Sequence, residues 1–578
     1  MSANPEPTRC CDLVMKGGIT SGVLYPPAIG RIAESFYFVG IGGTSAGAIA
    51  ASVAAAAEYR RRRSGDNSGF DQLEKLPNEL AGEGKLTALF RPDKSTRKAY
   101  KLLLDFLTQD ERSWLGRQWL KVRGFWSAIH LKKTLEPIVE NGFGLCTGMA
   151  NGNRPGEGEM APLTEWLASQ IDTVAAMKGG KPLTFGDLRH APIPSVLADT
   201  MSGNEDRSID FRAVTTCVSF GRPYELPFTD KIFAFDPDEW RRFFPEKVMN
   251  YLIEEAEKIE SRIRKRDGKL PLPVGDAMPV VVAARMSLSF PGLFTMIPLY
   301  AINYNAGKQA DGEYPLTKVW FSDGGITSNL PIHRFDSLFP RWPTLGINLQ
   351  YTDEDGKPAR SVVDDSLIYM IKRRADGVRD LWNVFDGKAS PTRNVVGFAG
   401  AIFRSAQTWH DNAFLRLPAF RDRIVEIWLK PDEGGLNLVM PEATIRRLIE
   451  RGNEAGIRLR ERFADTSPDD PLSWDSHRWA RLRSGLSGLS VFLHQFIQSV
   501  EHPGPGDRKL AEFLADREAP PAYEFDSPEQ LADARTAIDE LLAYLKKVEA
   551  LQVCGDKPEK PFCEGPRPPV EIGTRAPM

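Results

Sequence analysis

Residues 36–47 read FYFVGIGGTSAG. The aromatic and β-branched half, Phe36 to Ile41, predicts a strand, and Gly42-Gly43 predicts its end. Ser45 to Arg63 continues as a helix. A nucleophilic serine needs such a sharp turn, which pushes its hydroxyl away from the backbone. Gly43 and Gly47, two before and two after, let neighbouring segments approach. The helix that begins at Ser45 aims free N–H groups and a positive dipole end at the same point, which favours developing negative charge. The pentapeptide Gly43-Thr44-Ser45-Ala46-Gly47 also recurs in ordinary glycine turns. Its strand–turn–helix setting makes Ser45 a candidate nucleophile.

Upstream, Leu13 to Met15 is a short apolar run that opens into Gly17-Gly18-Ile19-Thr20-Ser21-Gly22, and Val23 to Ala33 reads as a helix. The opening is thus β-α-β-α, which predicts an α/β sheet with helices on both faces. Closely spaced glycines let N–H groups converge on an anion. No Gly-Lys-Ser/Thr follows, and the glycine spacing is wrong for a dinucleotide fingerprint. An oxyanion hole beside Ser45 and a tight turn without a ligand both stay open. Downstream, Phe211 to Phe220 predicts a strand and Lys247 to Arg266 an amphipathic helix. Pro279 to Ala284 is a β-branched run, followed by a loop through Phe290-Pro291. Val319 to Ser322 predicts a strand that delivers Asp323-Gly324-Gly325; Thr344 to Tyr351 and Arg423 to Lys430 predict further strands. By itself Asp-Gly-Gly is a common turn, and it gains weight from the other two motifs. An Asp acting as general base must lie about 2.6–3.2 Å from the serine oxygen.

With these three blocks in this order, the chain resembles the patatin-like phospholipase family. The segment Ala284 to Phe294, with Ser289, Pro291 and Phe294, is similar to the family's stretch before the acid, and Asn329 and Pro331 to its continuation. The resemblance covers roughly residues 10 to 350, discontinuously. It implies a three-layer α/β/α sandwich, a Ser45–Asp323 dyad, no metal or other cofactor, and cleavage of acyl esters of phospholipids, lysophospholipids or other lipids through an acyl-serine. The implied oxyanion hole is built from Gly17, Gly18, Ile19 and Ala46, and the supporting glycines are Gly22, Gly43, Gly47, Gly324 and Gly325. The sequence departs from the family where a third glycine and a basic residue are usual: Ile19 and Ser21 stand there.

Two other functions compete. A Ser-His-Asp hydrolase would place several strands before its serine; here one clear strand precedes the nucleophile strand. Its candidate histidines are His333, His410, His477, His494 and His502. A non-catalytic lipid-binding scaffold is the second, and the presence of every chemical motif speaks against it.

The rest of the 578 residues sets the frame. A composition of 42% hydrophobic and 26% charged residues is that of an ordinary globular protein. A net charge of -3 gives no general attraction to nucleic acid. Six cysteines without paired zinc spacing fit a cytoplasmic compartment, although Cys554 and Cys563 could close a small loop. The start lacks signal-peptide character, and Ala46 to Ala57 is too short to span a bilayer, which leaves peripheral membrane contact. We expect residues 1–435 to form the catalytic domain, with 64–209 a partly helical insertion and candidate lid. Residues 436–552 are expected to be helical, and 553–578 a disordered tail. Within the insertion, Trp114 to Trp126 is either core or a lipid-facing surface. The stripe Leu482, Leu486, Leu489, Leu493, Phe496 and Val500 is either core or a docking face for an unidentified protein partner.

Overall fold

The structure is a computed structural model. It describes residues 6–18, 20–108, 136–151, 156, 159–201, 208–260, 267–309, 312–352, 366–374, 376, 405, 414, 417, 419–435, 437–510, 512 and 527–552. Ile19, Trp114 to Trp126, His410 and the 553–578 tail lie outside the described residues.

Among the described residues, eleven strands form one mixed sheet. In chain order the elements that build the site are β1 (Arg9–Met15), β2 (Phe36–Gly43), β3 (Asp210–Cys217), β4 (Ile297–Ile302), β5 (Leu316–Asp323), β6 (Thr344–Tyr351) and β7 (Ile424–Leu429). The strands β7, β6, β1, β2 and β3 lie side by side and run parallel. On the far side of β3 the sheet turns antiparallel through β5 and β4. Every residue of β2 is buried, as are all of β1 after Arg9. Such near-continuous apolar strands require cover on both faces. Helices supply it, and the result is a three-layer α/β/α arrangement. They include α1 (Tyr25–Ala33), α2 (Ala46–Ser64), α3 (Ser68–Leu80), α4 (Leu163–Val174), α5 (Val280–Ser287), α6 (Glu442–Arg460), α7 (Trp474–Glu501) and α8 (Pro528–Gln552). Within the 64–209 stretch, α3 packs on α1 and α2, and α4 packs on α2 and α3.

Three elements differ from expectation. The β-branched run at Pro279 folds as helix α5, with all eight residues buried. An element buried on every side has no period to betray it. The helix expected over Lys247 to Arg266 ends at Glu257, and 261–266 lies outside the described residues. On α7, Leu482, Leu486, Leu489 and Leu493 are half-buried and Phe496 is exposed. The buried face instead carries His477, Ala480, Arg481, Ser484, Gly485, Ser487 and Gly488. Polar contacts hold that face: Arg481 donates to Asp336 at 2.8 Å, and the His477 ring bonds Asp422 at 2.9 Å.

Candidate active site

Strand register gathers the motifs. Met15 pairs with Gly43 across β1 and β2, Gly43 with Ala213 across β2 and β3, and Thr215 with Asp323 across β3 and β5. Gly17 and Ser45 each lie two residues beyond that row, on the side where β5 ends at Asp323. Three segments remote in sequence therefore meet above one edge of the parallel sheet.

Ser45 sits at φ 54° and ψ -128°, between β2 and α2. A left-handed, non-glycine residue of this kind stores about 1–3 kcal/mol of strain that its surroundings must hold. The holding groups are identifiable. The Ser45 N–H donates to Ser287 Oγ at 3.1 Å, and Ser287 donates in turn to the Val214 carbonyl at 2.7 Å. Thr44 Oγ1 donates to the Asn329 carbonyl at 2.8 Å. The two motif glycines are required by space: a Cβ on Gly43 would lie 2.5 Å from the Gly47 carbonyl carbon, and one on Gly47 would lie 2.3 Å from the Met15 carbonyl oxygen.

Asp323 is the last residue of β5 and is buried. Its N–H donates to the Ser289 carbonyl at 3.0 Å, which fixes the backbone against the segment after α5. Its Oδ1 accepts the Gly325 N–H at 2.7 Å, whereas Oδ2 is buried with no hydrogen-bond partner. Burial pushes the Asp323 carboxyl up to about 7, and the nearby Ser45 hydroxyl and the Gly325 N–H oppose that rise. The Ser45 hydroxyl itself donates to the Gly18 carbonyl at 3.0 Å. The serine is thus close enough to act on the acid, while its proton points at the glycine loop.

The glycine loop is tied on both sides. The Gly17 N–H donates to the Asn329 carbonyl at 2.9 Å, and the Ala46 N–H to the Gly18 carbonyl at 3.1 Å. Both of these expected oxyanion donors are engaged, and Ile19 lies outside the described residues. No described acceptor takes the Gly18 N–H. Gly22 packs on Ala46: a Cβ there would lie 3.0 Å from the Ala46 Cβ. Gly324 passes so close to β3 that a Cβ would lie 2.0 Å from the Val214 carbonyl oxygen. A Cβ on Gly325 would lie 2.8 Å from Asn329 Oδ1.

The described histidines make other contacts. His333 stacks on Phe414 with ring centroids 5.2 Å apart, and His477 is buried against Asp422. No hydrogen bond joins a described histidine to Ser45 or Asp323. Among the described residues no group of three or more His, Cys, Asp or Glu side chains is gathered as a metal site, and no helix is long and apolar enough to cross a membrane.

Sequence reasoning missed Ser287, because a lone serine at the end of an apolar run has no signature. It also missed an apolar cavity of about 80 Å³ beside the Ser45 turn. Thr20, Gly22, Val23 and Ala46 line its site end, and Leu76, Leu89, Phe90 and Trp166 its walls. The lining comes from helices far apart in sequence, each of which reads by itself as plain core.

Comparison with known proteins agrees with this fold. The model of the patatin-like phospholipase family matches residues 13–336. A Rhizobium meliloti (strain 1021) protein described as an RpoH suppressor is 30% identical over 94% of this chain and 95% of its own length. The chain therefore belongs to the patatin-like phospholipase family, a family of lipid acyl hydrolases.

Proposed function

We propose that this protein hydrolyses carboxylic esters of phospholipids or lysophospholipids with a Ser45–Asp323 dyad. One observation carries the reading: a buried carboxylate with an unpartnered oxygen lies beside a serine held at a strained helix-entry turn. The Ser45 hydroxyl rotates from the Gly18 carbonyl to Asp323 Oδ2. Asp323 takes the proton as Ser45 attacks the ester carbonyl. The Gly18 N–H, the loop donor left free, faces the oxyanion, supported by the positive end of α2. The alcohol leaves with the proton, and water then releases the acid from the acyl-serine.

The apolar cavity suits an acyl chain. Ala46, next to Ser45, lines it, and at about 80 Å³ it takes only the first few methylene groups of a chain esterified at the attacked carbonyl. The 64–209 stretch supplies much of the wall, which gives that insertion a role in holding the chain rather than in chemistry. The reading is tested with a short-chain nitrophenyl ester and with a mixed phospholipid extract, products being followed by mass spectrometry. Ser45→Ala and Asp323→Asn are each expected to lose at least about a thousandfold in kcat. A Ser45→Ala protein as fast as the parent refutes the reading. A His333→Ala protein is expected to keep most activity, and its near-total loss would favour a histidine-assisted mechanism.

A further inference from the structure

The C-terminal segment, beyond the family-matched residues, reaches the glycine loop. After β7 the chain turns at Gly434-Gly435, with φ +79° and +62°, before entering α6. The Gly435 carbonyl accepts the Thr20 hydroxyl at 3.2 Å and the Thr20 N–H at 3.5 Å. Thr20 lies two residues past Gly18. Ser21, the next residue, is wedged: a Cβ on Gly434 would lie 3.0 Å from the Ser21 Cβ, and one on Gly18 would lie 2.3 Å from Ser21 Oγ.

The turn is itself anchored. Glu433 has a fully buried side chain and accepts Arg451 Nη1 at 2.5 Å and Nη2 at 2.9 Å, a forked pair. It also accepts the Lys430 N–H at 2.9 Å, and Arg451 donates to the Trp428 carbonyl at 3.0 Å. Arg451 belongs to α6, which is pressed onto the helix that follows the glycine loop. A Cβ on Gly452 would lie 2.0 Å from the Leu24 carbonyl oxygen, and one on Gly456 would lie 2.5 Å from that of Ala28.

We propose that the Glu433–Arg451 pair is a positioning device for the hydrolytic site. It sets the Gly434-Gly435 turn, the turn holds Thr20 and Ser21, and these hold the Gly18 N–H against Ser45. The inference rests on the dyad and Gly18 reading given above. A buried ion pair is a weak source of stability, since apolar residues of like volume often serve as well. What the fork adds is fixed geometry. Catalysis is sensitive to that geometry, for a displacement of about 1 Å can cost about a hundredfold in rate.

The test uses the full-length protein, a short-chain nitrophenyl ester, and diethyl p-nitrophenyl phosphate to titrate competent Ser45. For Glu433→Gln and Arg451→Lys, kcat per titrated serine is expected to fall about 10- to 100-fold. KM for the small ester stays within about twofold, because it touches neither residue. Thr20→Val, which removes one hydroxyl and leaves the pair intact, is expected to lose kcat in the same sense; because Thr20 also lines the cavity, its KM is free to change. An unchanged kcat per titrated serine in any variant that titrates overturns the proposal. If both pair variants fail to fold, the outcome for Thr20→Val decides. Ser45→Ala measured alongside separates the two readings: if it retains the parent rate, the assignment of Ser45 has failed, and not the clasp alone.

Discussion

Asp323 and Asp12 show why a raised pKa does not by itself mark a catalytic acid. Burial pushes both carboxyls up to about 7. Asp12, however, is fully used: the Gly40 N–H, Trp342 Nε1 and the Thr344 hydroxyl all donate to it, at 2.9, 2.7 and 3.0 Å. Asp323 keeps one oxygen free and faces Ser45. If the base form of Asp323 accepts the serine proton, as proposed, kcat/KM is expected to rise as pH climbs through about 7 and to level off above it. A pH–rate profile on the nitrophenyl ester checks this. A profile flat from pH 5 to 9 would remove Asp323 as the base. As candidates, Ser45 and Asp323 were legible in the sequence because close approach forces glycine around them, at Gly43, Gly47 and Gly324. Ser287 was not, because the positioning contact depends on where α5 lands. Ser287→Ala leaves the Ser45 N–H buried without its acceptor, and about 1–3 kcal/mol of stability should be lost. Thermal unfolding measures that loss. A fall in kcat should accompany it as the strained turn relaxes.

Among the elements, α2 bears on both the proposed chemistry and the proposed substrate. Its first residue, Ala46, lines the cavity next to Ser45, and Ile49, Ala50 and Val53 line it further along the helix. That spacing is one helical face. If an acyl chain runs along it, Ala50→Leu should shorten the preferred chain. We expect kcat/KM for a long-chain nitrophenyl ester to fall about tenfold or more, while a two-carbon ester changes little. Equal effects on short and long esters would mean that the cavity does not receive the chain. The element scale is also where sequence reading was least secure. Periodicity located α7 correctly, but it did not identify the buried face. The leucines suggested core, yet the contact uses Ser484, Gly485 and Gly488, whose small side chains admit close packing. The β-branched triplet Val280-Val281-Val282 favours strands when half-buried, but complete burial between sheet and helix removes that preference.

For the whole molecule, the family match ends at Asp336, but the sheet does not. Strand β1, which leads into the glycine loop, has β2 on one side and β6 on the other, and β6 begins at Thr344. Asp12 on β1 takes two of its three hydrogen bonds from Trp342 and Thr344. The relative aligned over 94% of this chain likewise runs well past that boundary. The β-α-β-α opening was therefore enough to indicate the architecture, and the strands expected over Thr344 to Tyr351 and Arg423 to Lys430 carried the expected domain past Asp336; the packing of α6 on α1 was hidden, because the two helices are over 400 residues apart. A chain ended after Asp336 would leave β1 as an edge beside the buried Leu13 and Met15 and would bury Asp12 with one donor. We expect that chain to be insoluble or to melt without a cooperative transition. One ended after His502 should keep a cooperative transition, because α8 lies largely exposed and packs on α7, away from the sheet. Soluble yield and circular-dichroism melting compare the two. A soluble 336-residue chain that melts cooperatively and binds diethyl p-nitrophenyl phosphate at Ser45 would show that the matched segment folds alone, and that the C-terminal strands and α6 are additions rather than parts of the active-site scaffold.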